Sequence, residues 1–162
     1  MEARSETVLD VGAGTGTLVK MFEEEGRDAT ALCYAEAAKE YCEEKDIDVE
    51  MGDIRDIPFE DDSFDTVVSS LSTCTFPNPG RTLREMARVC RPDGRIRLLE
   101  HGLSAASPVA RLQTWYAPTH YSHVGCRLDQ DPVAVVRRAG LEVESVRTGY
   151  LGVLTAMVVQ PE

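Results

Sequence analysis

The segment VLDVGAGTG, Val8–Gly16, ends a short apolar, β-branched run and passes at once into glycine. Thr7–Val11 reads as a strand, and Gly12 and Gly14 let the chain turn sharply and bring bare backbone N–H groups close to a ligand. Leu18, Val19, Met21 and Phe22 then recur at helical spacing, with Gly26 placed as a C-cap. A helix that starts behind such a turn points its positive end at the turn, so an anionic group belongs there. The dinucleotide pattern G-x-G-x-x-G would need glycine at position 17; the residue is Thr17, and the third glycine is Gly16. Asp10 adds a carboxylate at the end of a buried strand, where it is costly without a partner. It suits a ligand that carries both an ammonium and a carboxylate. The other reading is an Asp bonded to nearby backbone N–H groups beside a plain strand–helix turn.

Outward from this segment the chain alternates. Asp28–Tyr34, Asp48–Met51, Phe64–Leu71 and Arg95–Glu100 read as further strands, the last entered through a turn at Pro92-Asp93-Gly94. Glu36–Lys45, Gly80–Cys90 and Ser107–Tyr116 read as helices, and His120–Gln130 as a loop. Asp131 and Pro132 announce a helix over Val133–Ala139, capped by Gly140. Leu141–Arg147 and Leu151–Gln160 close the pattern as two strands around Thr148-Gly149. The expectation is an α/β fold: a Rossmann-like, seven-stranded, mostly parallel sheet with helices on both faces and the last strand antiparallel. No repeat, linker or composition break divides residues 1–162, so one domain is expected.

Composition narrows the partners. Seventeen Lys and Arg against 28 Asp and Glu give a formal charge of −11, which disfavours nucleic acid and anionic lipid. Only 3 of the basic residues are Lys and 14 are Arg, as salt adaptation or a GC-rich genome would each favour. Five scattered cysteines without a CxxC pair, and no secretory leader, point to reduced thiols and a cytoplasmic protein. No apolar run approaches the ~20 residues of a membrane span.

Three ordered stretches resemble the class I S-adenosylmethionine-dependent methyltransferases: VLDVGAGTG, then GDIRDIPFEDDSFDTVV at Gly52–Val68, then REMARVCRPDGRIRLLEHG at Arg84–Gly102. The nearest branches are the ubiquinone and menaquinone biosynthesis enzymes. The distal half, with Glu100-His101, Trp115 and GCRLDQDPVAVVRRAGLEV at Gly125–Val143, is similar to the methyltransferase-like thiol enzymes. The resemblance implies S-adenosylmethionine as cofactor and a small, fairly apolar acceptor. It implies that Asp10, Gly12, Ala13, Gly14 and Gly16 hold the methionine part, with Ser69, Ser70 and Leu71 beside it. Asp53 would accept from the adenine amino group and Ile54 would cover the adenine face.

Two departures stand out. Cys33 occupies the place of the acidic residue that grips the ribose, a loss worth about 1.5–3 kcal/mol, with Glu36 a few residues on as a substitute. The usual N-terminal lid helices are not seen before Thr7, so an open pocket, a fragment, or closure by a second copy is expected.

Methyl transfer is an in-line displacement that depends on positioning. His101, just past the fifth strand, is the candidate base for an acceptor that must lose a proton. His120 and His123, with Tyr116 and Tyr121, are candidates for the acceptor pocket or plain surface. His120, His123, Cys126 and Cys74 have no compact four-ligand spacing, so no metal is expected. A degenerate binding or assembly subunit is the competing expectation.

Overall fold

Thr7–Val11 forms β1, and its side chains explain its place. Val8, Leu9 and Val11 are wholly buried, so a strand apolar on both faces needs neighbours on both edges and layers on both sides. A computed structural model, describing residues 5–161, supplies them. β2 (Asp28–Cys33) and β4 (Phe64–Ser70) flank β1 in parallel, Val8 lying opposite both Ala29 and Thr66. β3 (Val49–Met51) continues the sheet beyond β2, and β5 (Cys90–His101) beyond β4. β7 (Leu154–Val159) runs antiparallel between β5 and β6 (Val143–Gly149). The strand order is β3-β2-β1-β4-β5-β7-β6, the seven-stranded, mostly parallel sheet expected from the alternation.

Side-chain alternation divides the core between two faces. Leu9, Val11, Leu32, Val67, Ile96 and Leu98 join one cluster, completed by Leu83 and Met86 of α3 (Pro79–Val89) and Val136 of α5 (Pro132–Arg138). Val8, Ala31, Cys33 and Val68 join the other, with Val19 of α1 (Thr17–Glu24) and Cys42 of α2 (Glu36–Glu43). Over β4, β5 and β7 that second face opens into a groove of about 510 Å³, lined by Leu18, Phe22, Arg97, Leu99 and Met157 among others.

Helix starts follow the sequence signals. Asn78 and Asp131 each accept a hydrogen bond from the N–H three residues on, at 3.1 Å, and a proline follows each cap.

Two expectations change. The Pro92-Asp93-Gly94 turn is absorbed into β5: six residues, Cys90 to Arg95, lie across from the three residues Phe64 to Thr66, so the turn appears as a bulge in a longer strand. The loop expected over His120–Gln130 is helical for its first part, because α4 runs from Ser107 to Val124 and ends on Gly125 at φ +72°. Pro118 sits inside α4, and Ala117 is its one buried residue. No helix among the described residues is long and apolar enough to cross a membrane.

Candidate active site

The strand order reverses between β1 and β4, and the crevice at their carboxyl ends is where open α/β sheets take ligands. The glycine loop lies there. Gly12, Gly14 and Gly16 all have positive φ, at +78°, +56° and +68°. The amides of Gly12 and Ala13 are anchored on the Leu32 carbonyl, at 2.9 and 3.3 Å. The amides of Gly14 and Thr15 have no acceptor among the described residues. A Cβ at Gly14 would meet nothing within 4 Å, so this backbone is open to an approaching group. Gly16 has the opposite duty: a Cβ there would lie 2.5 Å from Ile47 Cδ1. It lets α1 pack on the loop after α2.

Asp10 lies on β1 two residues before Gly12, 3% exposed, and no side chain or amide bonds its carboxylate among the described residues. Burial alone holds its pKa up at about 7. The alternative of an Asp satisfied by backbone N–H groups is therefore not what the fold shows. Cys33 and Cys42 lie close enough for Asp10 to raise both thiols, with burial the larger cause for each.

Cys33 ends β2 as expected, yet its side chain is packed in the core with Val8, Val19 and Cys42. It offers the crevice no charged acceptor. Glu36 does not reach back either; it is exposed and lies 3.6 Å from Lys39.

Beyond β3 a cleft of about 460 Å³ is lined by Tyr34, Met51, Gly52, Asp53, Ile54, Arg55 and Pro77. Asp53 stands at its rim, its pKa held down at about 2 by hydrogen bonds from the Arg55 side chain and backbone. Ile54 borders the cleft but is 2% exposed, its side chain spent on the core. The loop behind is fixed by Arg88, which donates to the carbonyls of Ile57 and Phe59 at 2.9 Å and to Asp61 at 2.8 Å. Tyr34, whose hydroxyl lies 3.3 Å from Thr75 Oγ1, and Pro77 were not expected here; an exposed aromatic just after a strand end was the available signal for Tyr34.

At the end of β4, Ser72 Oγ donates to the Gly12 carbonyl at 3.0 Å and so ties this strand to the glycine loop. Ser70 lines the sheet-face groove, and Leu71 is held at φ +53°, half exposed. A left-handed leucine is a costly conformation, the kind that accumulates at ligand sites.

Glu100 was not expected in the site. It is fully buried, with Oε1 3.4 Å from the Thr73 amide and Oε2 without a partner. Burial pushes it up to about 7. Its signal is a charge inside the apolar run of β5. His101 follows, half-buried, its Nε2 3.1 Å from Cys126 Sγ. Burial and then His120 lower its pKa. His120 and His123 sit on α4, His123 Nδ1 against the Thr119 carbonyl.

The Methyltransferase domain family matches residues 9–98 of this chain. A demethylmenaquinone methyltransferase of Renibacterium salmoninarum is 32% identical over 144 residues, 88% of this chain and 59% of that protein. A phosphatidylethanolamine N-methyltransferase of Cereibacter sphaeroides is 32% identical over 121 residues, 70% of this chain and 59% of that protein. The chain thus spans somewhat under two thirds of the length of these relatives. Among solved structures, a SAM-dependent methyltransferase of Methanosarcina mazei superposes with a TM-score of 0.79 at 18% identity, covering 98% of this chain and 93% of that one.

The chain belongs to the class I S-adenosylmethionine-dependent methyltransferases. The residues present fit the cofactor of that class: an unpartnered buried carboxylate at Asp10 for a cation, and free amides at Gly14 and Thr15 for an anion.

Proposed function

We propose that this chain is one cofactor-binding domain of a cytoplasmic enzyme that transfers a methyl group from S-adenosylmethionine to a small, fairly apolar acceptor, whether at carbon, oxygen or sulfur. The observation that carries the reading is Asp10, a buried carboxylate without a partner among the described residues, two positions before an open glycine loop. Such a group is stable as an anion only when a cation is brought to it.

When bound, the cofactor supplies both an electrophilic methyl group and its leaving group. The protein's part is position. Asp10 pairs with the ammonium of the methionine part, and the amides of Gly14 and Thr15, with α1 behind them, receive its carboxylate. Gly12, Ala13 and Gly16 shape that loop, and Ser70 and Leu71 flank it from β4. Asp53 accepts from the adenine amino group at the rim of the cleft. Ile54 backs that cleft from the core. Cys33 closes the end of β2 by packing, which leaves the ribose with a weaker grip. His101 takes the proton of an acceptor that must lose one.

An apolar acceptor is supported by the names of the relatives, which refer to a demethylmenaquinone and to a phospholipid. Calorimetric titration with S-adenosylhomocysteine, followed by NAD, tests the proposal. Binding of the first and not the second is expected; no S-adenosylhomocysteine binding at millimolar concentration would sink it. The buried Cys33 favours one second reading, a degenerate subunit that binds cofactor without turnover. Tight product binding with no methyl transfer to any apolar acceptor would establish it.

A further inference from the structure

We propose that Cys74, His101 and Cys126 form a binding site for a thiophilic divalent cation of the zinc class, with three protein ligands and one position left open. The three come from separate elements: Cys74 from the short 3-10 turn Thr73–Thr75 after β4, His101 from the last position of β5, and Cys126 from just beyond the end of α4. Cys126 Sγ lies 3.2 Å from Cys74 Sγ and 3.1 Å from His101 Nε2. All three donor atoms lie within 4.8 Å of one another, and no other trio of His, Cys, Asp or Glu does so among the described residues.

The donor chemistry selects the ion. Two sulfurs and an imidazole nitrogen suit zinc, whereas magnesium and calcium take oxygen. Bond lengths of about 2.3 Å to sulfur and 2.0–2.1 Å to nitrogen separate tetrahedral donors by about 3.5–3.8 Å. Cys126 Sγ here needs to part from each of its two neighbours by about half an ångström, within reach of small χ1 rotations. As free thiols they form a hydrogen-bonded chain instead, Cys126 donating to Cys74. On binding, two S–H bonds break, two metal–sulfur bonds form and two protons leave to solvent; no electrons are exchanged.

The two cysteines are held for this before any ion arrives. The Arg127 amide donates to the Cys74 carbonyl at 3.2 Å, and Arg127 Nη1 donates to the carbonyls of Cys74 and Phe76 at 3.1 and 3.0 Å. Gly125, in the left-handed region, caps α4 immediately before Cys126. A loop clamped by its own neighbour's guanidinium keeps both sulfurs on one spot. An ion with three protein ligands retains a place for water or a small ligand. That place lies at the carboxyl ends of β4 and β5, the side of the sheet that also bears the glycine loop.

The proposal stands on ligand geometry alone and does not rest on the methyl-transfer reading; an ion held by His101 Nε2 would take that nitrogen out of use as a proton acceptor. Its test is titration of the reduced, chelator-treated full chain with Co²⁺ alone, followed by displacement with Zn²⁺. One equivalent of cobalt per chain is expected, with a thiolate-to-cobalt charge-transfer band and the intense visible bands of a tetrahedral ion, both lost when zinc enters. Cys126→Ser and His101→Ala should each weaken binding by about 10-fold or more, while Cys90→Ala, a buried thiol elsewhere, should keep the spectrum. The wild-type spectrum decides the matter even if a variant fails to fold. Absence of the charge-transfer band, or its persistence in both Cys74→Ser and Cys126→Ser, overturns the site.

Discussion

Arg55 closes on the carboxylate of Asp53 from two sides, with its backbone N–H at 2.8 Å and its Nε and Nη2 at 2.9 and 2.8 Å. A residue proposed to accept from an adenine amino group is thus already engaged by a side chain two positions away. The engagement holds Asp53 at about 2, well below the ordinary 3.8. Arg55→Ala should return that pKa toward the ordinary value, read by carboxyl NMR. It should also free an acceptor and tighten S-adenosylhomocysteine several-fold, whereas Asp53→Ala weakens it by a similar factor. Weaker binding in Arg55→Ala would make Arg55 the contact.

Asp10 predicts a pH dependence with a definite sign. Its folded pKa of about 7 lies above the ordinary 3.8, because burial penalises the charge. The folded state therefore holds the proton more tightly, and stability is greatest below pH 4 from this group and is lost as pH rises through 7. The difference amounts to about 4 kcal/mol at most. Asp10→Asn should be the more stable protein at pH 8, and the difference between the two urea curves should vanish near pH 4. A bound ammonium reverses the sign at this residue. S-adenosylhomocysteine should then bind more tightly from pH 6 to pH 8 and release a proton, measurable by calorimetry in buffers of different ionisation enthalpy.

Gly14 and Gly16 separate backbone strain from packing. Both are left-handed, so alanine at either carries about 1–2 kcal/mol of backbone cost. Only Gly16 also has Ile47 Cδ1 at 2.5 Å and Cys42 Sγ at 3.0 Å from the added methyl. Gly16→Ala should therefore lose about 1–3 kcal/mol more than Gly14→Ala in urea unfolding. Gly14→Ala should instead be the variant that loses cofactor affinity.

Arg88 gives a fourth expectation. It donates to two loop carbonyls and to Glu85 and Asp61, with Glu85 in turn accepting from the Ile57 amide at 2.9 Å. Arg88→Met keeps the stem and removes the fork. A loss of about 1.5–3 kcal/mol is expected, with faster hydrogen exchange confined to the segment between β3 and β4.

How far the sequence could be read depended on whether a signal was local. β1 was legible to the residue because Thr7–Val11 combines β-branched residues with a glycine stop. α5 was legible because Asp131 and Pro132 mark its start. α4 was read short because it packs so little, leaving Trp115 77% exposed, and because Pro118 reads as a breaker. With no buried stripe, no period betrays such a helix. Asp10 and the glycine loop were legible as a site since they are contiguous. The Cys74–Cys126 contact spans 52 residues and depends on where β4 ends and α4 stops, which no spacing rule encodes.

The place of β7 has a consequence for synthesis. It enters between β5 and β6, so both partners precede it in the chain and neither pairs with the other. Until Leu154–Val159 arrives, the twelve-residue β5 keeps one edge bare, and β6 has no strand beside it. A long edge of that kind recruits other chains. Versions of this protein ending near Gly149 should therefore aggregate while emerging from the ribosome, even though the crevice between β1 and β4 needs nothing from the last strand.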